Sequence, residues 1–512
     1  MRILEAALEH KRYVGETWIF EPELFSTFDW IDSQRANTVE QQLSISSPFS
    51  PPRTVFNQRN RTLASGIEML APTGARLQLS YTVAQLNNNL NSATFPNGEW
   101  LTSVGVQLTQ PLLKNAWMRV NMAGIRLAAL GSDLAFQQYR RGMLEMMAAA
   151  EASYWDLYLS QEQYKISLES VEMAKTILKD AQEWVKVGKA SQLDVLQAES
   201  GLAERRAIVN EARQRLRAAN NTAMDLIQDP AIGGGRKLVA SDSPEIVDVS
   251  LEDMRSYQQR SLEMNPDYLR LELERRQNEI RLKVAKNQKL PQLDLTGGYS
   301  VNGVGSSPGA SHRQTQQNDF PAWSLGVQMR VPLVGSKRAR RHAEAARLQL
   351  RSSEKALEGA VIEIGNVIET SAHNVRAARD SVSHYEKVVE FNEKLLETQL
   401  ARMEVGKTTS RTVFETEREL FQSRINRLQG LVQFERAVLQ LHIITGLGLE
   451  KRGMEIEKDD LTFRTALIVR KGKIDQNAFD RFVGDVTRQY QGRANRGKAA
   501  SGGATESKQP NE

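Results

Sequence analysis

The sequence contains no cysteine and only six histidines among 512 residues. Without a thiol there is no Cys-ligated zinc, no iron–sulfur cluster, no thiol nucleophile and no disulfide framework. The histidines stand at 10, 312, 342, 373, 384 and 442, with no His-x-x-x-His pair, so no metal-site spacing is written. Phosphate loops are incomplete as well. Gly406-Lys407-Thr408 has Ala401 where that motif needs glycine, and Gly233-Gly234-Gly235-Arg236-Lys237 follows Pro230 without a helix-opening fingerprint. These absences argue against an enzyme and against any cofactor. The charge of one sign is also missing: 67 basic against 62 acidic residues leave a net +5, too diffuse an excess for a nucleic-acid partner.

Long hydrophobic runs are lacking too. No stretch of eighteen apolar residues exists, so no transmembrane helix is written. The N-terminal segment carries Glu5 and Glu9 and has no apolar core of signal-peptide length. Taken alone, this describes a soluble protein of low mean hydropathy, −0.47. A β-barrel, however, crosses a membrane with short alternating strands that a hydropathy window misses.

What the chain has in abundance is self-similarity. Gly105-Val106-Gln107-Leu108-Thr109-Gln110-Pro111-Leu112 returns as Gly326-Val327-Gln328-Met329-Arg330-Val331-Pro332-Leu333, an offset of 221. Val187-Gly188-Lys189 returns as Val405-Gly406-Lys407, an offset of 218. Pro22-Glu23-Leu24 resembles Pro291-Gln292-Leu293 at an offset of 269, so the first copy holds extra residues between its strands. The reading is a two-fold internal repeat: 1–228 and 262–448, a linker or equatorial segment at 229–261, an extension at 449–490 and a disordered Gly/Ser/Lys-rich tail at 491–512.

Within each copy the patterns are helix, strands, a very long helix, a Gly-centred turn and another long helix. Leu357, Val361, Ile364, Ile368, Val375, Ala378, Val382, Tyr385, Val389 and Leu396 form a heptad seam interrupted only at Ser371 and Asn392. Met143, Met147, Ala150, Tyr154, Leu157, Tyr164, Leu168, Val171 and Leu178 match it in the first copy, and Val195, Ala198, Leu202, Val209 and Ala212 continue after the turn. Helices are expected at about 117–186, 190–228, 264–289, 337–404 and 408–445. At 1.5 Å per residue the first would be about 105 Å long. After Gly406 the pattern shows two apolar stripes, Val413, Leu420, Phe434 and Leu441 beside Phe414, Phe421, Ile425, Leu428, Val432 and Leu439. Two stripes suit a stave with neighbours on both sides.

Strict alternation predicts strands at about 24–32, 66–70, 75–84, 101–110, 293–301 and 323–331, each with one apolar and one polar face. Half-buried sheets on soluble cores share this pattern. Here aromatics cluster at or near strand ends, Trp30, Tyr81, Trp100, Tyr299, Phe320 and Trp323, as interfacial girdles do. Long polar loops are expected at 33–62, 86–99 and 302–322.

Several of these strings, in order, resemble the outer membrane efflux protein family, the TolC-like exit ducts of Gram-negative bacteria. They are Asn265-Pro266-Asp267-Tyr268-Leu269 leading to Leu290-Pro291-Gln292-Leu293, Gln110-Pro111-Leu112-Leu113 at a strand end, and the hairpin tip from Val187 through Lys189 to Glu199. The likeness spans roughly residues 1–448. It implies a mainly α fold with β: a coiled-coil α-barrel plus a membrane β-barrel, built as a homotrimer in which four strands per chain close a twelve-stranded barrel. It further implies an outer-membrane location with a periplasmic helical tunnel, a periplasmic adaptor (membrane fusion protein) and inner-membrane pump as partners, and outer-membrane lipid around the barrel.

The same likeness assigns candidate sites. Val187, Gly188, Lys189, Val405, Gly406 and Lys407 match the tips that meet the adaptor, although each glycine also reads simply as a turn residue. Glu415 matches one of two acidic constriction positions, and Thr412 stands at the other. A three-fold carboxylate ring would favour cations; a lone helical Glu also reads as a solvated face. Pro22, Pro111, Pro291 and Pro332 mark strand ends. Aligning Pro22 with Pro291 places Met1 opposite Arg270, from which a clipped or misassigned start lacking the export signal is expected. The extra segment reads as a hairpin around Ala71-Pro72-Thr73-Gly74 that either enlarges the barrel or forms an external flap. The function this supports is passive export through an outer-membrane exit duct of a tripartite efflux or type I secretion system. The alternative is a soluble coiled-coil scaffold.

Overall fold

The computed structural model describes residues 2–39, 42, 54–89, 98–227, 236–246, 254–333, 335–454, 458, 469–470 and 473–474. It divides into two compact units. One contains the sheet and comprises Leu4–Ala135 and Glu272–Lys355; the other, apart from Met1–Ile3, comprises Phe136–Leu271 and the described part of Ala356–Glu512.

In chain order, helix α1 (Arg2–Thr17) leads through a short 3-10 turn into strands β1 (Glu23–Ala36), β2 (Val55–Leu70), β3 (Arg76–Asn88) and β4 (Glu99–Pro111). A one-turn helix α2 (Met118–Asn121) precedes the long helices α3 (Ala123–Lys186) and α4 (Gln192–Ile227). Then come α5 (Met254–Met264), α6 (Pro266–Asn287), β5 (Gln292–Gly305), α7 (Pro308–Gln317), β6 (Phe320–Arg330), and the long pair α8 (Lys337–Glu404) and α9 (Ser410–Ile444). Two two-residue strands, β7 (Val469–Arg470) and β8 (Lys473–Ile474), pair with each other.

The sheet is a six-stranded antiparallel meander in the order β1-β2-β3-β4-β5-β6. Its register places Leu24 opposite Ile67, Ile67 opposite Leu79, Leu79 opposite Val106, Val106 opposite Tyr299 and Tyr299 opposite Trp323. The extra segment is therefore two full strands of the sheet, lying between β1 and β4.

The structure corrects the sequence reading in several places. The strand expected at 66–70 begins at Val55, and β1 runs on to Ala36, so much of the expected loop 33–62 is sheet. This stretch escapes the alternation test because its pairing is polar: Arg59 bridges Asp32 at 3.0 Å and Gln58 donates to Ser33 at 2.9 Å. Arg61 and Arg35 lie over the rings of Trp30 and Phe56. The expected loop 302–322 contains helix α7, whose Ser307 side chain accepts from the Ala310 amide and whose Pro308 opens the first turn. With no apolar periodicity, α7 is held instead by buried hydrogen bonds, Thr102 Oγ1 to Ser311 Oγ at 2.8 Å and Thr315 Oγ1 donating to the Thr102 carbonyl at 3.3 Å.

The helix expected at 117–186 starts only after a break at Trp117, whose φ is +72. At 264, α5 ends and α6 starts separately, because the buried Asn265 caps α6 by accepting from the amides of Asp267 and Tyr268 at 2.8 and 3.2 Å. Of the expected C-terminal regions, 455–457, 459–468, 471–472 and 475–512 lie outside the described residues, as do 228–235 and 247–253 of the linker.

The expected seams are largely buried in α4, α8 and α9, whereas in α3 the buried face is shifted: Ala150 and Leu168 are exposed, and Ala174, Ile177 and Ala181 are buried instead. Val171, Ala174, Ile177 and Ala181 of α3, Val195, Ala198, Leu202 and Val209 of α4, Leu396 and Met403 of α8, and Val413, Phe414 and Leu420 of α9 form one buried cluster. A second joins Ile364, Ile368, Ala372, Val375 and Ala378 of α8 to Phe434 and Leu441 of α9. The seam interruption at Asn392 is satisfied, since its amide donates to Ser423 Oγ at 3.3 Å and to the Glu419 carbonyl at 3.4 Å.

Candidate functional site

The two long helical pairs each turn through a Gly-centred tip of the same geometry. Gly188 has φ +74 and Gly406 has φ +70. The amide of Lys189 donates to the Trp184 carbonyl and that of Lys407 to the Arg402 carbonyl, both at 2.8 Å. The glycine amides donate to Val185 at 3.1 Å and Met403 at 3.0 Å. This paired closure of the last turn is a Schellman motif, which places glycine in the left-handed region. Among the described residues no neighbouring atom lies within 4 Å of where a Cβ would stand on either glycine, and Val187 and Val405 are exposed. The two valines therefore leave apolar surface at both tips.

Just inside the tips, Asp180 of α3 has its pKa raised, first by burial and then by the carboxylates of Glu183 and, from α8, Glu404. Glu415 lies one turn into α9, exposed and held by Arg411 at 2.9 Å. Thr412 has its hydroxyl 3.3 Å from that of Thr409. Deeper in, Glu417 is buried and paired with Arg205 of α4, an arrangement the sequence reading missed. The signal was present: Arg205 and Glu417 each occupy a position of the apolar seam, between Leu202 and Val209 and between Val413 and Leu420.

The sheet has two faces of opposite character. The row Leu24, Ile67, Leu79, Val106, Tyr299 and Trp323 crosses all six strands, and every member is exposed. Leu77, Leu108 and Leu325 lie on the same face, as do Trp30, Tyr81 and Trp100. Trp30 and Trp100 share one row, linked through Arg61 and Gln85. Tyr299 and Trp323 form a direct pair nearer the strand ends that meet helices. On the opposite face the neighbouring rows read Phe25, Gly66, Ser80, Gly105, Ser300, Ala322 and Glu23, Glu68, Gln78, Gln107, Gly298, Ser324. An exposed apolar face this wide requires an apolar covering, whereas the other face suits water. Pro22 and Pro291 immediately precede β1 and β5, Pro111 closes β4, and Pro332 lies two residues beyond β6.

A model of the family described as outer membrane efflux protein matches residues 71–227 and 258–447. The chain belongs to this family. The outer membrane efflux proteins to which it is similar include the outer membrane protein TolC of Vibrio cholerae, 22% identical over 388 residues, 74% of this chain and 84% of that one. Another is the pyoverdine export outer membrane protein OpmQ of Pseudomonas aeruginosa, 23% identical over 340 residues, 63% of this chain and 68% of the relative. Among solved structures, the CmeC outer membrane channel of Campylobacter jejuni aligns with a TM-score of 0.58 at 13% identity, covering 90% of this chain and 84% of that one. CusC, whose structures concern transmembrane channel formation, aligns at 0.60 and 13%, covering 87% and 88%. Membership makes this efflux protein an exit duct of an efflux system.

Proposed function

We propose that this outer membrane efflux protein assembles as three copies in the outer membrane, each contributing its sheet to one closed barrel and its long helices to a periplasmic tunnel. The observation that carries this reading is the sheet: an exposed apolar face, an opposite face made mostly of polar and small residues, and two edge strands, β1 and β6, each with one free side among the described residues. Unpaired edges are tolerated in lipid only when a barrel closes. The coiled-coil scaffold alternative leaves that apolar face wet.

In this reading the duct is passive. A pump in the inner membrane and a periplasmic adaptor deliver cargo, whether small molecules or proteins, and the adaptor docks on the tips at Val187 to Lys189 and Val405 to Lys407. Glu415 and Thr412 line the constriction near those tips. Trp30, Tyr81, Trp100, Tyr299 and Trp323 contact lipid and its headgroups. The test is fractionation followed by sizing: the protein should stay with outer membranes through a high-salt wash and run in detergent at three chain masses. Free solubility without detergent would refute the membrane duct.

A further inference from the structure

We infer that the β2–β3 hairpin is a wall element of the barrel, so that each copy supplies six strands and the assembled outer-membrane passage has eighteen. This rests on the three-copy reading above and changes its dimensions.

Three independent features place the hairpin in the wall. First, β2 is paired along its length on both sides, from Glu23↔Glu68 to Ala36↔Val55 with β1, and from Leu70↔Arg76 to Gln58↔Asn88 with β3. An external flap would leave β1 facing β4 instead. Second, the rows nearest its turn carry the two-faced pattern through it. Ile67 and Leu79 continue the apolar row between Leu24 and Val106, while Gly66 and Ser80 continue the small polar row between Phe25 and Gly105. Third, its turn is seated at the base of β4. The Trp117 amide donates to the Thr73 carbonyl at 2.9 Å, Thr73 Oγ1 lies 3.1 Å from Gln110 Oε1, and the Gln110 amide donates to the Thr73 carbonyl at 3.3 Å. The chain after β4 takes left-handed conformations at Asn115 (φ +60) and Trp117 (φ +72) to make this seat.

Parity allows the enlargement. A hairpin adds one strand in each direction, so β1 and β6 remain antiparallel and β6 of one copy can pair with β1 of the next. Barrel diameter grows roughly linearly with strand number, and with a strand spacing of about 4.8 Å and a tilt of about 40° the backbone diameter rises from about 24 Å for twelve strands to about 36 Å for eighteen. Barrels of that size enclose an aqueous channel, and the lining here is Glu68, Gln78, Ser80 and Gln107 with glycine between. The wall of the outer passage is then wide enough to enclose a water column.

The absence of cysteine makes the test direct. Ser26 and Ser65 have their hydroxyl oxygens 2.9 Å apart across β1 and β2, and Thr82 opposes Ser103 across β3 and β4. In full-length protein in outer membranes, Ser26→Cys with Ser65→Cys, and separately Thr82→Cys with Ser103→Cys, should each form an intrachain disulfide on oxidation. Thr27→Cys with Ser103→Cys should form none, because those positions are three strands apart and beyond disulfide reach. Failure of either first pair, or a disulfide between 27 and 103, overturns the proposal. Native mass in detergent counts copies separately: a number other than three overturns the assembly reading, and with it the total of eighteen, while the disulfides still report the six strands of each chain.

Discussion

Arg205 of α4 and Glu417 of α9 lie 212 residues apart in sequence and meet as a buried ion pair, Nε to Oε2 at 3.0 Å and Nη2 to the same oxygen at 2.5 Å. Their side chains are only 5% and 7% exposed. The pair is fully furnished: Arg205 Nη2 donates to the Phe414 carbonyl at 3.1 Å, its guanidinium lies 4.7 Å from the Phe414 ring centre, and Ser170 of α3 donates to the other Glu417 oxygen. One charge of each sign on two apolar seams thus fixes the register of α4 against α9, the role polar residues play at single seam positions of coiled coils.

Breaking that pair on one side leaves a buried charge without a partner. Arg205→Ala or Glu417→Ala should each cost about 3–5 kcal/mol. The double replacement Arg205→Met with Glu417→Leu should recover most of that loss, since apolar pairs often substitute for buried ion pairs without penalty. Thermal unfolding followed by helical circular dichroism reads both effects. Equal loss in the single and double variants would show that the ion pair itself carries the stability.

The tips give a second prediction. Gly188→Ala and Gly406→Ala place a Cβ in the left-handed region and should each destabilise locally by roughly 1–2 kcal/mol. Faster proteolytic nicking at 186–190 or 404–408 is the measurement. Gly359→Ala is the contrast: it lies within α8 with nothing near its Cβ, and should stabilise by about 0.5–1 kcal/mol.

The constriction proposed at Glu415 gives a third. Because Arg411 holds Glu415 at 2.9 Å, part of the carboxylate's field is cancelled. In planar-bilayer reversal-potential measurements, Glu415→Ala should reduce cation preference and Arg411→Ala should raise it. Identical selectivity in all three proteins would remove Glu415 from the ion path.

Acid sensitivity should arise at His442, near the end of α9. Burial, then the charges of Arg452 and Lys451, push its pKa from 6.5 down to about 4. The unfolded chain therefore takes up a proton on acidification before the folded one does. This cost is absent above pH 6.5 and accumulates as pH falls from there towards about 4. The melting temperature should decline over that window, and His442→Leu should flatten the decline.

The long helices were legible in the residues alone, because a heptad seam repeated over many turns must be buried against other helices, and so were the tips, because Val-Gly-Lys at the end of such a helix closes as a glycine cap. Sequence alone also determined that the strands have two faces, since alternation is a local property. It did not decide what is carried by partners distant in the chain. The polar ends of β1 and β2 became strands through Arg59–Asp32 and Gln58–Ser33, α7 became a helix against Thr102, and Arg205 found Glu417. The same holds for the hairpin at 55–88: its alternation allowed a place outside the sheet or within it, and only pairing with β1 on one side and β4 on the other, with the Trp117 amide on the Thr73 carbonyl, put it within the sheet. Sheet order is set by hydrogen bonds between distant segments, and no periodicity within a segment encodes its neighbour.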